Sequence, residues 1–527
     1  MSVSKFDAVI IGGGHNGLVC AAYLARAGKR TMVIEKRDVL GGAAVTEEIA
    51  PGFKSSTFSY LIGAFYHPIY QELGLGDYLQ IHTIPDIFCP IGSDDYLHTN
   101  YKDKDGELTK QSIAKFSRED AAAYDNYREM LKEISPIMQT LMMTIPPDVT
   151  KLNYATIKDL GQLLWKLRRS RNQIYRLIDI ASQSANDFLS FWFKREEVRA
   201  YFAYTCSIGN FVGPSTPGSA LLMLGYQAGR HEKNPQGHVK GGMGAITEAL
   251  RKIGENAGVQ YRVGDPVEEV LVRSGRALGV RTKSGREILS DIVVSNAHPK
   301  ILFGKLVDAR EVPPEFAHAV RGIRTYSSAW KINIAAEAPP RYSANIPAKT
   351  GLDNIVFSHI GPTIKYLDRA YYDAKAGWYS KKPFVSVVVP SLVDQTMAPP
   401  GKHIVHLFGG HAPYDLDDAD WSEERDNFAK SVLDVVDEVA PGFSDGVIAK
   451  QVLVPQDIEA MIDLPHGNIM HGDIMLDQMF SKRPVPGYAD YRTPIHGLYQ
   501  CGAACHPGGG VTGIPGYNAA RVILKRR

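Results

Sequence analysis

Apolar residues are spaced in three ways along this chain, and the most informative pattern comes first. Phe6-Asp7-Ala8-Val9-Ile10-Ile11 is a β-branched apolar run that enters Gly12-Gly13-Gly14-His15-Asn16-Gly17. An Ala- and Leu-rich segment follows over residues 18–27 and stops at Gly28, and a second apolar run, Thr31-Met32-Val33-Ile34, ends on Glu35. The order predicted is strand, tight turn, helix, strand. Residues 52–101 carry short mixed runs and turn signals such as Leu75-Gly76-Asp77. Residues 115–226 turn to helical spacing, with Ser117-x-x-Asp120 reading as a capping box before a helix at 121–131.

Beyond this stretch, a loop at 237–244 feeds a helix at 245–253, and strands are predicted at 259–263, 267–272, 277–282 and 287–294, separated by Ser-Gly turns. Residues 300–455 alternate strands (328–335, 384–389, 403–408) with a helix at 422–439 that Ala440-Pro441-Gly442 stops. An antiparallel sheet lining a pocket is the expected result.

The opening pattern has a chemical reading. Gly12, Gly14 and Gly17 let the backbone turn and approach a pyrophosphate, and the helix that starts through His15 and Asn16 offers free N–H groups and a positive dipole end. Glu35 stands where an acid would accept a ribose hydroxyl. An acid there points to an unphosphorylated ribose, although the cationic Lys36 and Arg37 follow directly.

Two further stretches narrow the dinucleotide. After Glu35 comes Lys36-Arg37-Asp38-Val39-Leu40-Gly41-Gly42-Ala43-Ala44-Val45-Thr46. Near the far end stands Leu498-Tyr499-Gln500-Cys501-Gly502-Ala503-Ala504-Cys505-His506-Pro507-Gly508-Gly509-Gly510-Val511-Thr512-Gly513-Ile514-Pro515-Gly516-Tyr517-Asn518. Together with Gly241-Gly242-Met243-Gly244, Val267-Glu268-Glu269-Val270 and Val294-Ser295-Asn296-Ala297, these resemble the flavoprotein family of phytoene desaturases, carotenoid isomerases and retinol saturases, within the wider FAD-containing amine-oxidase fold. The resemblance spans most of the chain and is specific only in these patches.

It implies an α/β chain with a discontinuous Rossmann-type FAD-binding domain (residues 1–70, 226–300 and 456–527) and an inserted α+β substrate domain (71–225 and 301–455, with a helical lobe at 115–225). The FAD would be held non-covalently by Gly12, Gly14, His15, Asn16, Gly17, Glu35, Lys36, Gly42, Ala43 and Thr46 from the first segment. Val267 would set its backbone against the adenine, with Asn296 closing the same side. Gly502, Ala503, Gly510, Val511 and Asn518 would surround the ring, with a helix beginning near Asn518 pointing its positive end at the flavin pyrimidine. Two departures from the expected pattern stand out: His298 replaces an Asp after Asn-Ala, and Ala43 replaces an Arg, leaving phosphate contacts to backbone or Thr46. Ala503 follows Gly502 where wider relatives place an acid, as in the desaturase branch.

Composition then removes alternatives. With 44% hydrophobic residues in 527 the chain can bury a large core, and 59 Lys and Arg against 57 Asp and Glu leave a net charge of +2, which argues against a nucleic-acid binder. Five cysteines suit reduced thiols, the early first strand leaves no secretory signal, and no apolar run spans a bilayer, so a cytoplasmic chain is expected. Leu163-Leu164-Trp165-Lys166-Leu167-Arg168-Arg169-Ser170-Arg171 suits either a lipid interface, as a peripheral membrane contact, or a basic solvated face on a packed helix.

His403, His406 and His411, and His466 and His471, lack the spacing and carboxylate of a metal shell; they are expected to be satisfied or surface histidines, and no metal is expected. Cys501 and Cys505 sit inside the glycine motif rather than in a redox dithiol. No second dinucleotide motif is present, so electrons would pass to oxygen, a quinone or a soluble carrier. His506 and Tyr517 lie in the motif that the resemblance turns toward the flavin and are the acid/base candidates; packing around the cofactor is their other reading. The expected activity is desaturation, saturation or isomerisation of carbon–carbon double bonds in a hydrophobic, polyene or isoprenoid substrate by hydride exchange with flavin N5. Its rivals are an amine oxidase-like enzyme and a flavin-binding interaction protein without turnover.

Overall fold

The computed structural model describes residues 4–92, 94–148, 154–229, 236–346, 352 and 354–525. Parts of the predicted helical lobe (149–153) and of the segment from 226 (230–235) lie outside the described residues.

Five strands form a parallel sheet in the order Gln260–Arg262, Thr31–Ile34, Ala8–Ile11, Val293–Ser295, Leu498–Gln500. The last four are buried along their whole length, which is why they read as unbroken apolar runs rather than alternating ones. Alternate residues point to opposite faces. Ala8 and Ile10 pack with Cys20, Leu24 and Ala519 of the covering helices, whereas Val9 and Ile11 pack with Val270, Val280 and Ile288. That second layer is a four-stranded sheet in which Val267–Arg273, Arg276–Thr282 and Glu287–Ser290 run as an antiparallel meander and Ser4–Phe6 adds on parallel. The single strand expected over 287–294 is two strands, because the chain leaves the meander at Asp291 and enters the parallel sheet at Val293.

This sheet joins the two ends of the chain. Val293 lies opposite both Val9 and Leu498, and the helix Ile514–Leu524 packs on the helix His15–Arg26. A Cβ added to Gly516 would lie 2.1 Å from the Asn16 carbonyl oxygen, so a residue with no side chain sets how closely these two helices approach.

A second, seven-stranded sheet runs Val447–Leu453, Ala329–Ala336, His403–Gly410, Val385–Val388, Phe357–Ile360, Asp86–Ile91, Asp95–Asn100. The expectation of an antiparallel sheet from 301–455 needs correction. Asp86–Ile91 and Asp95–Asn100 come from earlier in the chain, and the junction Phe357–Ile360 with Asp86–Ile91 is parallel. Proline at position 90 and turn signals on both sides hid these strands from the pattern. The Trp421–Asp437 helix covers one face, burying Trp421 and Phe428 against Trp330.

The helical lobe centres on Arg118–Met143, longer than the 121–131 expected. Ser117 caps it by accepting from the Asp120 N–H at 3.0 Å. The Asp120 carboxylate does not return the bond, as a capping box requires; it accepts from the Lys194 and Arg195 N–H groups at 2.9 Å each and fastens the next helices to the lobe.

Gly516→Ala should cost about 1–3 kcal/mol, the usual penalty for overpacking. Gly161→Ala, at a helical site with nothing within 4 Å of the added Cβ, should be neutral or stabilising. Urea denaturation of both variants checks the contrast.

Candidate functional site

At the N-terminal turn Gly12 takes φ +91°, and a Cβ on Gly17 would lie 2.3 Å from the Gly12 carbonyl oxygen, so the turn closes only with glycine. The following helix has Gly14 as N-cap and no side-chain cap, which leaves its first N–H groups for a ligand. Asn16 is buried with its Oδ1 unpartnered, and the His15 Nε2 is likewise buried and unpartnered. Glu35, 7% exposed, accepts from the Gly13 N–H at 2.7 Å and the Arg37 N–H at 3.0 Å. The two neighbouring cations are held elsewhere: Lys36 pairs with Asp463 at 2.7 Å and Arg37 with Glu47 at 2.6 Å. Lys36 is therefore not brought to the turn.

The loop after Glu35 doubles back over the turn. The Gly41 N–H donates to the Gly13 carbonyl at 2.9 Å, and Gly42 lies against Gly14. The hydroxyl of Thr46 accepts from the Gly244 N–H at 3.0 Å, which ties this loop to the next segment and leaves the hydroxyl proton able to donate. Asn296 packs its side chain on Gly12 and Gly14, and its N–H donates to the Ile11 carbonyl at 2.8 Å. Val267 is buried in the meander beneath. His298 caps the short helix Pro299–Ile301, its Nδ1 accepting from the Lys300 N–H at 3.1 Å.

The C-terminal motif arrives from the other side. His15 hydrogen-bonds the backbone of Gly510. Ala43, Ala503, Gly510 and Val511 line one cavity together with His15 and His471. Sequence reasoning missed Arg483 beneath the motif. It is 1% exposed, its guanidinium donates to the carbonyls of Gly472 (3.1 Å) and Ala503 (3.1 Å), and burial lowers its pKa to about 10. Such a group holds positive potential at the motif.

The cavity has a volume of about 360 Å³, within the range of small-molecule sites. Its far walls are apolar: Met138, Leu221, Leu222, Ile208, Phe357 and Phe408. Among the described residues one lysine faces it. Lys331, 2% exposed, donates to the Ser56 carbonyl and lies 5.1 Å from the Tyr60 ring centre. Burial alone holds its ammonium form well below the usual lysine range. On the same face of the sheet, Asn333 gives its amide protons to Thr57 (3.2 Å) and Gln451 (2.9 Å). Its Oδ1 must then accept from His406 Nδ1 at 2.9 Å, leaving His406 Nε2 a buried, unpartnered acceptor.

Several expectations need correction. The helix begins at Ile514 rather than near Asn518, because Pro515 sits in the first turn, where its missing N–H costs nothing. Asn518, a turn further in, spends its amide on the Tyr491 hydroxyl (3.1 Å) and the Met143 carbonyl (3.5 Å). Neither acid/base candidate reaches the cavity wall. His506 donates from Nε2 to the Leu141 carbonyl at 3.0 Å, and Tyr517 lies edge-on to Tyr23 at 5.0 Å, in the seam between the two helices. His406 and His411 are buried and His471 is half-buried, each with a buried ring nitrogen that has no hydrogen-bond partner, rather than satisfied or exposed. Cys501 and Cys505 are buried thiols whose pKa burial raises, to about 12 for Cys505. Among the described residues no group of three His, Cys, Asp or Glu is placed to hold a metal.

An uncapped helix N-terminus behind a turn that only glycine closes, an acid at the end of the second strand and a second glycine motif meeting the first at one cavity together fit a flavin dinucleotide. Residues 17–372 match the family of flavin containing amine oxidoreductases, and the chain belongs to that family; it is a flavoprotein oxidoreductase whose cofactor is FAD. Among curated proteins it is similar to pyridine nucleotide-disulfide oxidoreductase domain-containing protein 2 of Rattus norvegicus, 36% identical over 99% of this chain and 94% of that one. More distant relatives are a limonene dehydrogenase polypeptide of Castellaniella defragrans (25% identical, 99% and 95% covered) and the chloroplastic prolycopene isomerase of Daucus carota (24%, 97% and 78%). Among solved structures, an oxidoreductase of Methanosarcina mazei has a TM-score of 0.60 at 16% identity, covering 99% of this chain and 100% of that one. A triple mutant of putrescine oxidase has a TM-score of 0.59 at 14%, covering both chains fully. These two show the shared fold.

Glu35→Gln should weaken FAD binding roughly ten- to a hundredfold, the worth of a charge-assisted hydrogen bond. Lys36→Met, whose cation is spent on Asp463, should leave it within about twofold; flavin fluorescence titration of the apoprotein reads both. Stability should also fall in acid. Burial depresses His15, His411 and His506 to about 4 and His471 to about 3, so between the ordinary value of 6.5 and these values the unfolded chain binds more protons than the native one. Each such histidine should remove about 1.4 kcal/mol per pH unit as pH falls through that window, measurable by denaturant melts at stepped pH.

Proposed function

We propose that the protein desaturates, saturates or isomerises carbon–carbon double bonds of a hydrophobic, isoprenoid-type substrate, passing electrons where required to oxygen, a quinone or a soluble carrier. The observation that carries this reading is the cavity wall: apolar side chains run from the glycine motif outward, and no Asp or Glu lines it among the described residues. An ammonium substrate would meet no counter-charge there, while an uncharged polyene would lose nothing on entry. The names of two distant relatives, a limonene dehydrogenase and a prolycopene isomerase, support the same class.

On this reading the Rossmann-type sheet and its meander form the FAD-binding domain, and the seven-stranded sheet with the helical lobe forms the substrate domain. The FAD, held by Gly12, Gly14, Gly17, Glu35, Gly42 and the 502–511 motif, supplies two-electron acceptor chemistry when bound. The rest falls to the chain. Met138, Leu221, Leu222 and Phe408 exclude water and align the substrate against the motif. Lys331 Nζ, whose buried site disfavours the ammonium form, is the base that takes the proton lost with the C–H bond. The Arg483 guanidinium and the N-terminus of the Ile514–Leu524 helix favour negative charge developing on that side.

Lys331→Met keeps the length of the side chain and removes the base, so it should retain FAD and lose roughly a hundredfold or more in turnover. Anaerobic mixing of the holoprotein with a polyene panel and an amine panel, followed by product analysis, tests the substrate class. Reduction by polyenes, or double-bond isomers without net reduction, supports the reading. Reduction by amines alone would overturn it.

A further inference from the structure

The helices Tyr154–Leu167 and Arg171–Ser182 pack on the lobe by one face only. Leu163 (8% exposed), Leu177 and Ile180 are buried, the last two in the same core as Met138, Leu221 and Leu222, which line the cavity. A second apolar stripe faces away from that core. Tyr154 is 82% exposed, Ile157 58%, Leu164 61% and Trp165 64%, and on the following helix Tyr175 is 70% and Ile178 64%. At 3.6 residues per turn, positions 154, 157, 161, 164 and 165 fall on one side of the first helix, roughly a third of a turn from the inward stripe at 156, 160, 163 and 167. A solvated helix puts charge where this one puts Tyr, Ile, Leu and Trp.

Cations border the stripe. Residues 154–182 hold Lys158, Lys166, Arg168, Arg169, Arg171 and Arg176 against Asp159 and Asp179, six positive charges less two negative, or +4, whereas the whole chain carries +2. Positive charge is thus concentrated where apolar surface is exposed. The Arg168 guanidinium lies 3.9 Å over the Trp165 ring, which sets an aromatic ring and a cation together at the edge of the stripe. No helix among the described residues is long and apolar enough to cross a membrane, so this pair suits lying in a bilayer interface.

We propose that the paired helices 154–167 and 171–182 dock the protein on an anionic lipid surface, with Leu164, Trp165 and Ile178 entering the acyl boundary and Arg168, Arg169 and Arg171 meeting headgroup phosphates. The docking face lies on the lobe whose inner face lines the cavity, so a lipid-dissolved substrate would enter without crossing water; that second part rests on the hydrophobic-substrate reading above. The docking itself does not.

Flotation of the full-length holoprotein with vesicles of phosphatidylcholine alone, and of two parts phosphatidylcholine to one part phosphatidylglycerol, tests it. Wild type should float with the anionic vesicles, only weakly with the neutral ones, and less as salt rises. L164S/W165S/I178S should bind at least tenfold less. R168E/R169E/R171E should bind about a hundredfold less or worse, at roughly fivefold per cation removed. Both should keep their flavin absorbance and elution volume. As a check that needs no folded triple variant, brominated lipid should quench wild-type tryptophan fluorescence and spare W165F. Wild type left unbound by anionic vesicles, triple variants that float like wild type, or quenching equal in W165F would each overturn the proposal. So would a dimer in solution that L164S/W165S/I178S dissolves, since that would give the face to a second copy. None of these results bears on whether the flavin is present.

Discussion

The contact between the Asn16 carbonyl and Gly516 is the constraint on which the remaining structure depends. It brings together two helix N-termini that lie 500 residues apart in the chain, at a spacing that no side chain could share. The parallel sheet makes the same join in hydrogen bonds, with Val293 seated between Val9 and Leu498. The dinucleotide turn and the second glycine motif become one site only because both joins hold. The strands Gln260–Arg262 and Val293–Ser295 return to that frame from the middle of the chain, and the seven-stranded sheet and the helical lobe are inserted around them.

Burial then fixes the electrostatics. A lysine, an arginine and several imidazoles lie around or beneath the cavity with carbonyls, rings or nothing as partners. Solvation would be cheaper for every one of them. The result is a region where burial disfavours protonated bases while Arg483 and a helix terminus keep the potential positive. On the proposed reading, that combination suits proton acceptance and electron-rich states and disfavours a cationic substrate. A structure selected only for stability would fill these positions with leucine.

The FAD-binding frame was legible in the sequence because parallel strands buried on both faces appear as continuous apolar runs and because glycine-only turns leave their residues in fixed order. Its seams were harder to see. Residues 287–294 read as one strand since Asp291 interrupts a pattern apolar on both sides, and the early strands of the larger sheet were masked by proline at position 90. The candidate site was legible as far as backbone chemistry extends. Ala43, Gly510 and Val511 do meet His15 at one cavity, but side-chain chemistry was assigned by position in the motif, and His506 and Tyr517 turn away from it. Lys331 was invisible for a physical reason: Trp330-Lys331-Ile332-Asn333-Ile334 alternates as a half-exposed strand would, and only tertiary packing shows that the polar side of that strand is covered too. His471 was set aside for lacking metal spacing, although its place on the cavity wall needed no metal.

The most direct measurement is the visible spectrum and FAD content of the purified full-length protein, before and after incubation with excess FAD and desalting. One FAD per chain, with the two absorption bands of a bound oxidised flavin, is the result this account requires. A folded, monodisperse protein that remains colourless after incubation would contradict it, because the two ends of the chain would then be meeting around nothing.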